Sequence, residues 1–172
     1  IVNKRVENLS NLPKMVSGNM ALDDGHLMLT DEEKNDLINK YPDAKNYIRE
    51  TTGGKEYLYD IKRWCLWIED SELTEAIKIA PIKSKIDACY QFRIKGGDVA
   101  RTLANRAHQF RYRHLPVQNQ IIIPQTTSEN RNYIPFGFLK KEIVIQQSAQ
   151  VIYDPEPFVL GILSSKIHLL WV

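Results

Sequence analysis

The chain has 172 residues, 43% of them apolar and 26% charged, with a net charge of +2, ordinary proportions for a domain that buries its own core. No apolar run approaches the ~18 residues that a membrane span needs, and no signal-peptide pattern opens the sequence, so a membrane partner is excluded at this level. The first residue is Ile1 rather than Met, and the expectation is one domain, 1-172, excised from a longer chain.

Residues 1 to 19 read as an irregular arm with Pro13 and Gly18. Leu27 to Leu29 is a short strand candidate. Thr30 with Glu33 three residues on is a capping box, which predicts a helix carrying Leu37 and Ile38 and stopping near Tyr41, before Pro42. A second short helix is expected through Tyr47. Thr51 to Gly54 reads as a turn. Tyr57 to Tyr59 and Trp64 to Ile68 read as strands, from their aromatic and apolar content. Ser71 is the expected cap of a helix to Ala80, with Pro81 ending it or opening the next. That next helix runs from about Ile82 to Ile94 and closes at Gly96-Gly97. A further amphipathic stretch spans Asp98 to Asn105.

The last third changes character. Gln120 to Ile123 is a β-branched strand halted by Pro124. Tyr133-Ile134, Ile143 to Ile145 and Val151 to Tyr153 are strand candidates, and Phe158 to Val172 reads as one amphipathic helix. Helices therefore dominate the middle and strands the end, with no βαβ alternation. The fold class expected is α+β, with a mostly antiparallel or mixed sheet.

Charge is distributed unevenly. Residues 1 to 77 hold 10 Lys and Arg against 15 Asp and Glu, a net of −5. Residues 78 to 141 hold 12 against 3, a net of +9, and residues 142 to 172 return −2. The central block interleaves cations with an aromatic and a histidine: Arg93, Arg101, Arg106, Arg111, Tyr112, Arg113, His114. A basic block of this kind is an electrostatic footprint for a polyanion, and a charge run alone also describes a solvated helix face.

Catalytic and cofactor signatures are missing. Gly53-Gly54 and Gly96-Gly97 are lone doublets that turns explain better than a phosphate loop. The four histidines, 26, 108, 114 and 168, are scattered, and Cys65 and Cys89 stand in apolar surroundings at no metal-ligand spacing. Buried free thiols in a reduced, cytoplasmic setting fit them best. Asp43 with Glu50 and Lys55 is better explained by helix capping than by a nuclease site. Ser164-Ser165-Lys166 lies inside the amphipathic stretch, where an acyl-transfer nucleophile is not expected.

Two stretches carry the sharper signal. One runs from the strand ending at Pro124 through a loop of hydroxyls and amides with Thr127, Ser128, Glu129 and Arg131, closed by Tyr133, Ile134 and Pro135. The other holds Leu163, Ser164, Ser165, His168 and Trp171. With Tyr57, Ile61 and the run Arg63 to Trp67, they resemble the target-recognition region of the bifunctional restriction-modification enzymes related to MmeI (Type IIL/IIG). The resemblance extends from about Gly18 to Val172. Thr127 stands where that family's pattern has serine. Arg93 looks like the family's helix arginine, with Gly96-Gly97 where a serine usually follows.

The resemblance implies a parent chain that transfers a methyl group from S-adenosylmethionine to an adenine N6 in a short asymmetric site, with Mg if a nuclease is fused. Neither the Phe-x-Gly-x-Gly type cofactor loop nor the Asn-Pro-Pro-Tyr type catalytic motif is in this sequence, so no catalytic residue and no cofactor site are assigned to it. It also implies double-stranded DNA and the methyltransferase core of the same chain as partners, and a base-reading stretch continuing past Trp171. The candidate base readers are Gln125, Gln146, Gln147 and Ser148: polar, following strands, with no evident structural duty. Gln suits adenine, Arg guanine. The candidates for phosphate contact or for bracing the loops are Arg93, Arg111, Arg113, Ser128, Glu129, Arg131, Lys140 and Lys141. His168 and Trp171 read as packing residues. An RNA-binding module and a non-catalytic interaction domain of a larger enzyme are the alternatives. The first predicts a preference for single strands, the second no salt-sensitive DNA binding.

Overall fold

The computed structural model of the chain describes residues 12–126, 128 and 133–171, with Leu169 and Trp171 described by backbone alone. The chain forms β1 (Met15–Ser17), β2 (Met28–Leu29), α1 (Asp31–Lys40), a 3-10 helix (Pro42–Tyr47), β3 (Ile48–Thr52), α2 (Gly54–Tyr59) and β4 (Arg63–Leu66). A 3-10 turn (Asp70–Glu72) leads into α3 (Leu73–Ala76), α4 (Ala80–Lys95), α5 (Asp98–Thr102) and a further 3-10 turn (Ala104–Arg106). The last third holds β5 (Asn119–Pro124), β6 (Gly137–Lys140), β7 (Val144–Ile145), β8 (Ala149–Tyr153), α6 (Pro157–Leu163) and α7 (Lys166–Trp171). The class is α+β, as expected.

Local chemistry sets several boundaries. The Thr30 hydroxyl accepts from the Glu33 amide at 3.1 Å, and the Glu33 carboxylate accepts from the Thr30 amide at 2.8 Å, so two orphan donors of α1 are satisfied reciprocally. Asp31, Glu32 and Glu33 place negative charge at its N-terminus, and Pro42 stops it. Pro81 sits in the first turn of α4, where its missing amide costs nothing, so it opens that helix.

Five expectations are corrected. Tyr57 to Tyr59 is helical, and Thr51-Thr52 ends β3 instead of turning. Aromatic content suggested a strand, but Tyr57 instead inserts its ring between the two sheets, where Gly137 leaves it room. Glu69, not Ser71, caps the next segment, forming its own box with Glu72. The strand placed at Tyr133-Ile134 is absent there, and β6 begins at Gly137. The C-terminal stretch is two helices, broken at Ser164-Ser165, where the Ser165 hydroxyl accepts from the His168 amide at 3.2 Å and recaps the second. Residues 1–11 of the expected arm lie outside the described residues, and its end forms β1.

The strands make two four-stranded sheets. One has the order β1-β8-β5-β6, antiparallel throughout. The other has the order β2-β4-β3-β7, in which β3 and β7 run parallel. Alternation along β5 sends Ile121 to one face, against Ile152 and Val159, and Ile122 to the other, against Ile145 and Val151. A larger core beneath the second sheet gathers Leu27, Leu29, Leu66, Ile68, Ile82 and Phe110, all nearly inaccessible. The chain passes from β7 in the second sheet to β8 in the first through residues 146–148, so one short polar turn joins the two sheets.

Candidate nucleic-acid interface

That junction turn holds three of the four candidate readers, and the fourth reaches it. Gln125 follows β5 and donates from Nε2 to the Gln147 carbonyl at 2.9 Å. Gln146 donates its amide to the Thr52 carbonyl at 2.8 Å and its Nε2 to the Thr51 hydroxyl at 3.1 Å. Ser148 Oγ accepts the Gly54 amide at 3.1 Å, at the first turn of α2. The Gln147 amide donates to the Asn19 carbonyl at 2.8 Å, while its exposed carboxamide has no hydrogen bond among the described residues. Three of the four side chains are thus partly committed to the scaffold, and Gln147 alone presents its whole amide outward.

Neighbouring backbone approaches this turn closely. A Cβ at Gly18 would overlap the Gln146 carbonyl, and one at Gly54 would come within 2.8 Å of the Ser148 carbonyl. Glycine is required at both for close approach, not for dihedral freedom. Asn19, 2% exposed, fills the space between the turn and the segment 111–114.

The cations divide into two groups. Arg93 is fully buried and donates to the carbonyls of Ala21, Leu22, Leu103, Arg106 and Gln109 at 2.7–3.0 Å. Burial pulls its pKa down. A guanidinium with all its donors taken and no exposed surface cannot reach a phosphate, so that half of its sequence reading is corrected, and its place is at the hub of the loops. Arg113 pairs bidentately with Glu69 at 2.8 and 3.0 Å and lies 4.5 Å from the Trp67 ring centroid, which leaves it little for an outside anion. Arg101 pairs with Asp98, and Arg106 donates to the Arg111 carbonyl. Much of the basic block is therefore spent internally.

Arg111 is half-buried over the ring of Tyr112, a residue that is 47% exposed. Lys140 and Lys141 are exposed and have no carboxylate partner among the described residues. They sit at the Asn119 end of β5, about 17 Å along the strand from the Pro124 end that carries the turn. Ser128 is exposed, and Glu129 and Arg131 lie outside the described residues, as does Thr127. His168 packs against Phe136 with centroids 6.2 Å apart and bonds the Leu163 carbonyl at 2.9 Å. The Trp171 side chain is outside what is described.

Sequence reading missed two residues. Asn19 lay in a stretch read as an irregular arm. Arg63 sits in the net-acidic first part of the chain, yet it is exposed, has no ion pair among the described residues, and lines a cleft of about 320 Å³ with Gly25, Met28, Glu33, Glu56, Lys85 and Gln146. The signal for it was its place beside Trp64 on an aromatic strand; its neighbours' negative charge hid it. Among the described residues no cluster of His, Cys, Asp and Glu is arranged to hold a metal, and no helix is long and apolar enough to cross a membrane.

A polar turn is pinned where the two sheets meet, and exposed cations lie on the same sheets. The chain belongs to the MmeI target recognition domain family, whose model matches residues 1–172. It is 37% identical over 174 residues to DNA methyltransferase A of Bacillus subtilis (strain 168), a match that takes in 100% of this chain and 20% of that protein. It superimposes with a TM-score of 0.90, at 35% identity, on the Type IIL restriction-modification enzyme MmeI solved in complex with DNA, covering 98% of this chain and 23% of that one. The chain thus spans about a fifth of the length of the curated relative it matches.

Proposed function

We propose that this chain reads sequence in double-stranded DNA on behalf of a restriction-modification adenine-N6 methyltransferase, as a single non-catalytic domain in a cytoplasmic protein. The observation that carries the reading is the convergence of Gln125, Gln146, Gln147 and Ser148 on one braced turn, with Gln147 presenting an uncommitted carboxamide. A glutamine amide matches the N6 donor and N7 acceptor of adenine in the major groove, and such a bidentate pair discriminates by about 1–3 kcal/mol. Discrimination needs a defined backbone from which the side chain extends, and the hydrogen bonds around the turn supply that.

Lys140, Lys141, Arg111 and Arg63 supply sequence-independent affinity for phosphates. Arg93 and Arg113 act by bracing. The methyltransferase core of the parent supplies S-adenosylmethionine and the methyl-transfer chemistry, with Mg if a nuclease is fused. The target adenine is flipped into that core while this domain holds the flanking duplex. The homology to a DNA methyltransferase and to a DNA-bound restriction-modification enzyme supports this reading.

Selection of bound sequences from a randomised duplex pool tests it. Enrichment of a short asymmetric motif is expected. Binding that is salt-sensitive but enriches nothing would assign reading to another part of the parent, and a preference for single-stranded RNA would replace the reading altogether.

A further inference from the structure

We propose that Asn19 is a positioning residue for base recognition: it touches no DNA, yet it fixes the turn from which Gln147 reads, and this inference rests on the function proposed above. Asn19 is 2% exposed and uses both its main chain and its side chain on that turn. Its amide donates to the Ile145 carbonyl at 2.7 Å, and its carbonyl accepts the Gln147 amide at 2.8 Å. Its Nδ2 donates twice, to the Ile145 carbonyl at 3.0 Å and to the His114 carbonyl at 3.0 Å, while Oδ1 accepts the His114 amide at 2.5 Å. One residue therefore grips the chain on both sides of Gln146 and ties it to the backbone of His114.

The chemistry requires an amide. The site needs two N–H donors and one acceptor on the same short side chain. Aspartate has no donors and would set a carboxylate against two carbonyls. Serine has one donor and a shorter reach. The clamp works through Gln147 because only the Cα and two methylenes separate that carboxamide from the amide that Asn19 holds, so a backbone shift at 145–147 displaces the carboxamide from a base edge. Hydrogen-bond geometry weakens steeply with such shifts.

The test uses the full-length methyltransferase that carries this domain. Methylation rates are measured for Asn19→Ser, Asn19→Asp, Gln147→Ala and the double variant Asn19→Ser/Gln147→Ala, over a panel of sites changed at one base pair at a time. Asn19→Ser is expected to lower discrimination about tenfold at the same base pair that Gln147→Ala relaxes, and to leave ratios at other positions in place. In the double variant the two losses should not add, since both act through one side chain. A purely structural loss of folded enzyme scales all rates together and leaves every ratio unmoved.

If Gln147→Ala changes no ratio, the proposed reading itself fails. If Gln147→Ala relaxes one position and Asn19→Ser keeps the wild-type ratio there, the clamp is overturned. Should neither Asn19 variant fold, native-state hydrogen exchange on the unsubstituted enzyme decides. The Gln147 amide is expected to exchange as slowly as the amides of β5, and exchange at the rate of an open loop overturns the inference.

Discussion

The two ends of the first sheet brace their turns by the same device and put it to different use. At one end the buried Gln120 donates to the carbonyls of Lys140 and Ile143 at 3.1 and 2.6 Å; at the other, Asn19 donates to those of Ile145 and His114. Beyond the Gln120 brace stand Lys140 and Lys141, whose ammonium groups swing on four-carbon stems whatever the backbone does. Beyond the Asn19 brace stands Gln147, whose exposed carboxamide hangs on a shorter stem from a backbone amide that the brace holds. A phosphate accepts a cation from many directions, whereas a base edge accepts an amide in one geometry. Similar scaffolding therefore yields a tolerant interaction at one end and a selective one at the other.

The comparison breaks most completely at Arg93, which holds Ala21 and Leu22 immediately beyond the Asn19 clamp. Arg93→Ala takes a donor from five carbonyls, of which those of Ala21, Leu103 and Arg106 keep a backbone amide, and leaves a buried cavity; a loss of about 3 kcal/mol in urea unfolding is expected. A loss below about 1 kcal/mol would show that water replaces the guanidinium. Gly18→Ala is next, because its methyl meets the Gln146 backbone, which cannot yield as a flexible side chain would. A cost of about 1–3 kcal/mol is expected, together with reduced base discrimination. Unchanged discrimination would mean that the turn tolerates displacement.

The lysine end should respond differently. Lys140→Gln with Lys141→Gln is expected to weaken binding to all duplexes alike and to flatten the log–log salt dependence by about 0.9 for each phosphate no longer neutralised. A change confined to one base position would contradict the division of labour. The smallest effect concerns the thiols. Burial pushes Cys65 up to about 12 and Cys89 up to about 11 from the ordinary 9.0. The folded state holds these protons longer than the unfolded one, so their contribution to stability is complete below pH 9 and is lost as pH climbs toward about 11–12. Both should resist alkylation at about pH 8 until the chain unfolds.

Local signals in the sequence were legible where the determining interactions are local. The Thr30–Glu33 box, the stop before Pro42 and the β-branched run ending at Pro124 each specify an element within a few residues. Tyr57 to Tyr59 misled because a tertiary slot between the sheets, not aromatic propensity, decides its conformation. Asn19 was illegible for the same reason on a longer scale, since its side-chain partners lie 95 and 126 residues away. Composition marked Gln125, Gln146, Gln147 and Ser148 as polar residues without structural duty, but it could not show that Gln125, Gln146 and Ser148 bond the scaffold. It left phosphate contact and bracing open for Arg93 and Arg113, because a formal charge does not reveal that carbonyls or a carboxylate already consume it.

The most direct measurement is a methylation panel over every single-base variant of the parent's site, run for Gln147→Ala beside the paired lysine variant. Loss of discrimination by about 1–3 kcal/mol at one base pair for Gln147→Ala, with the ratios of the lysine variant unchanged, is the predicted result. An unaltered base preference for Gln147→Ala would contradict the assignment of reading to this turn.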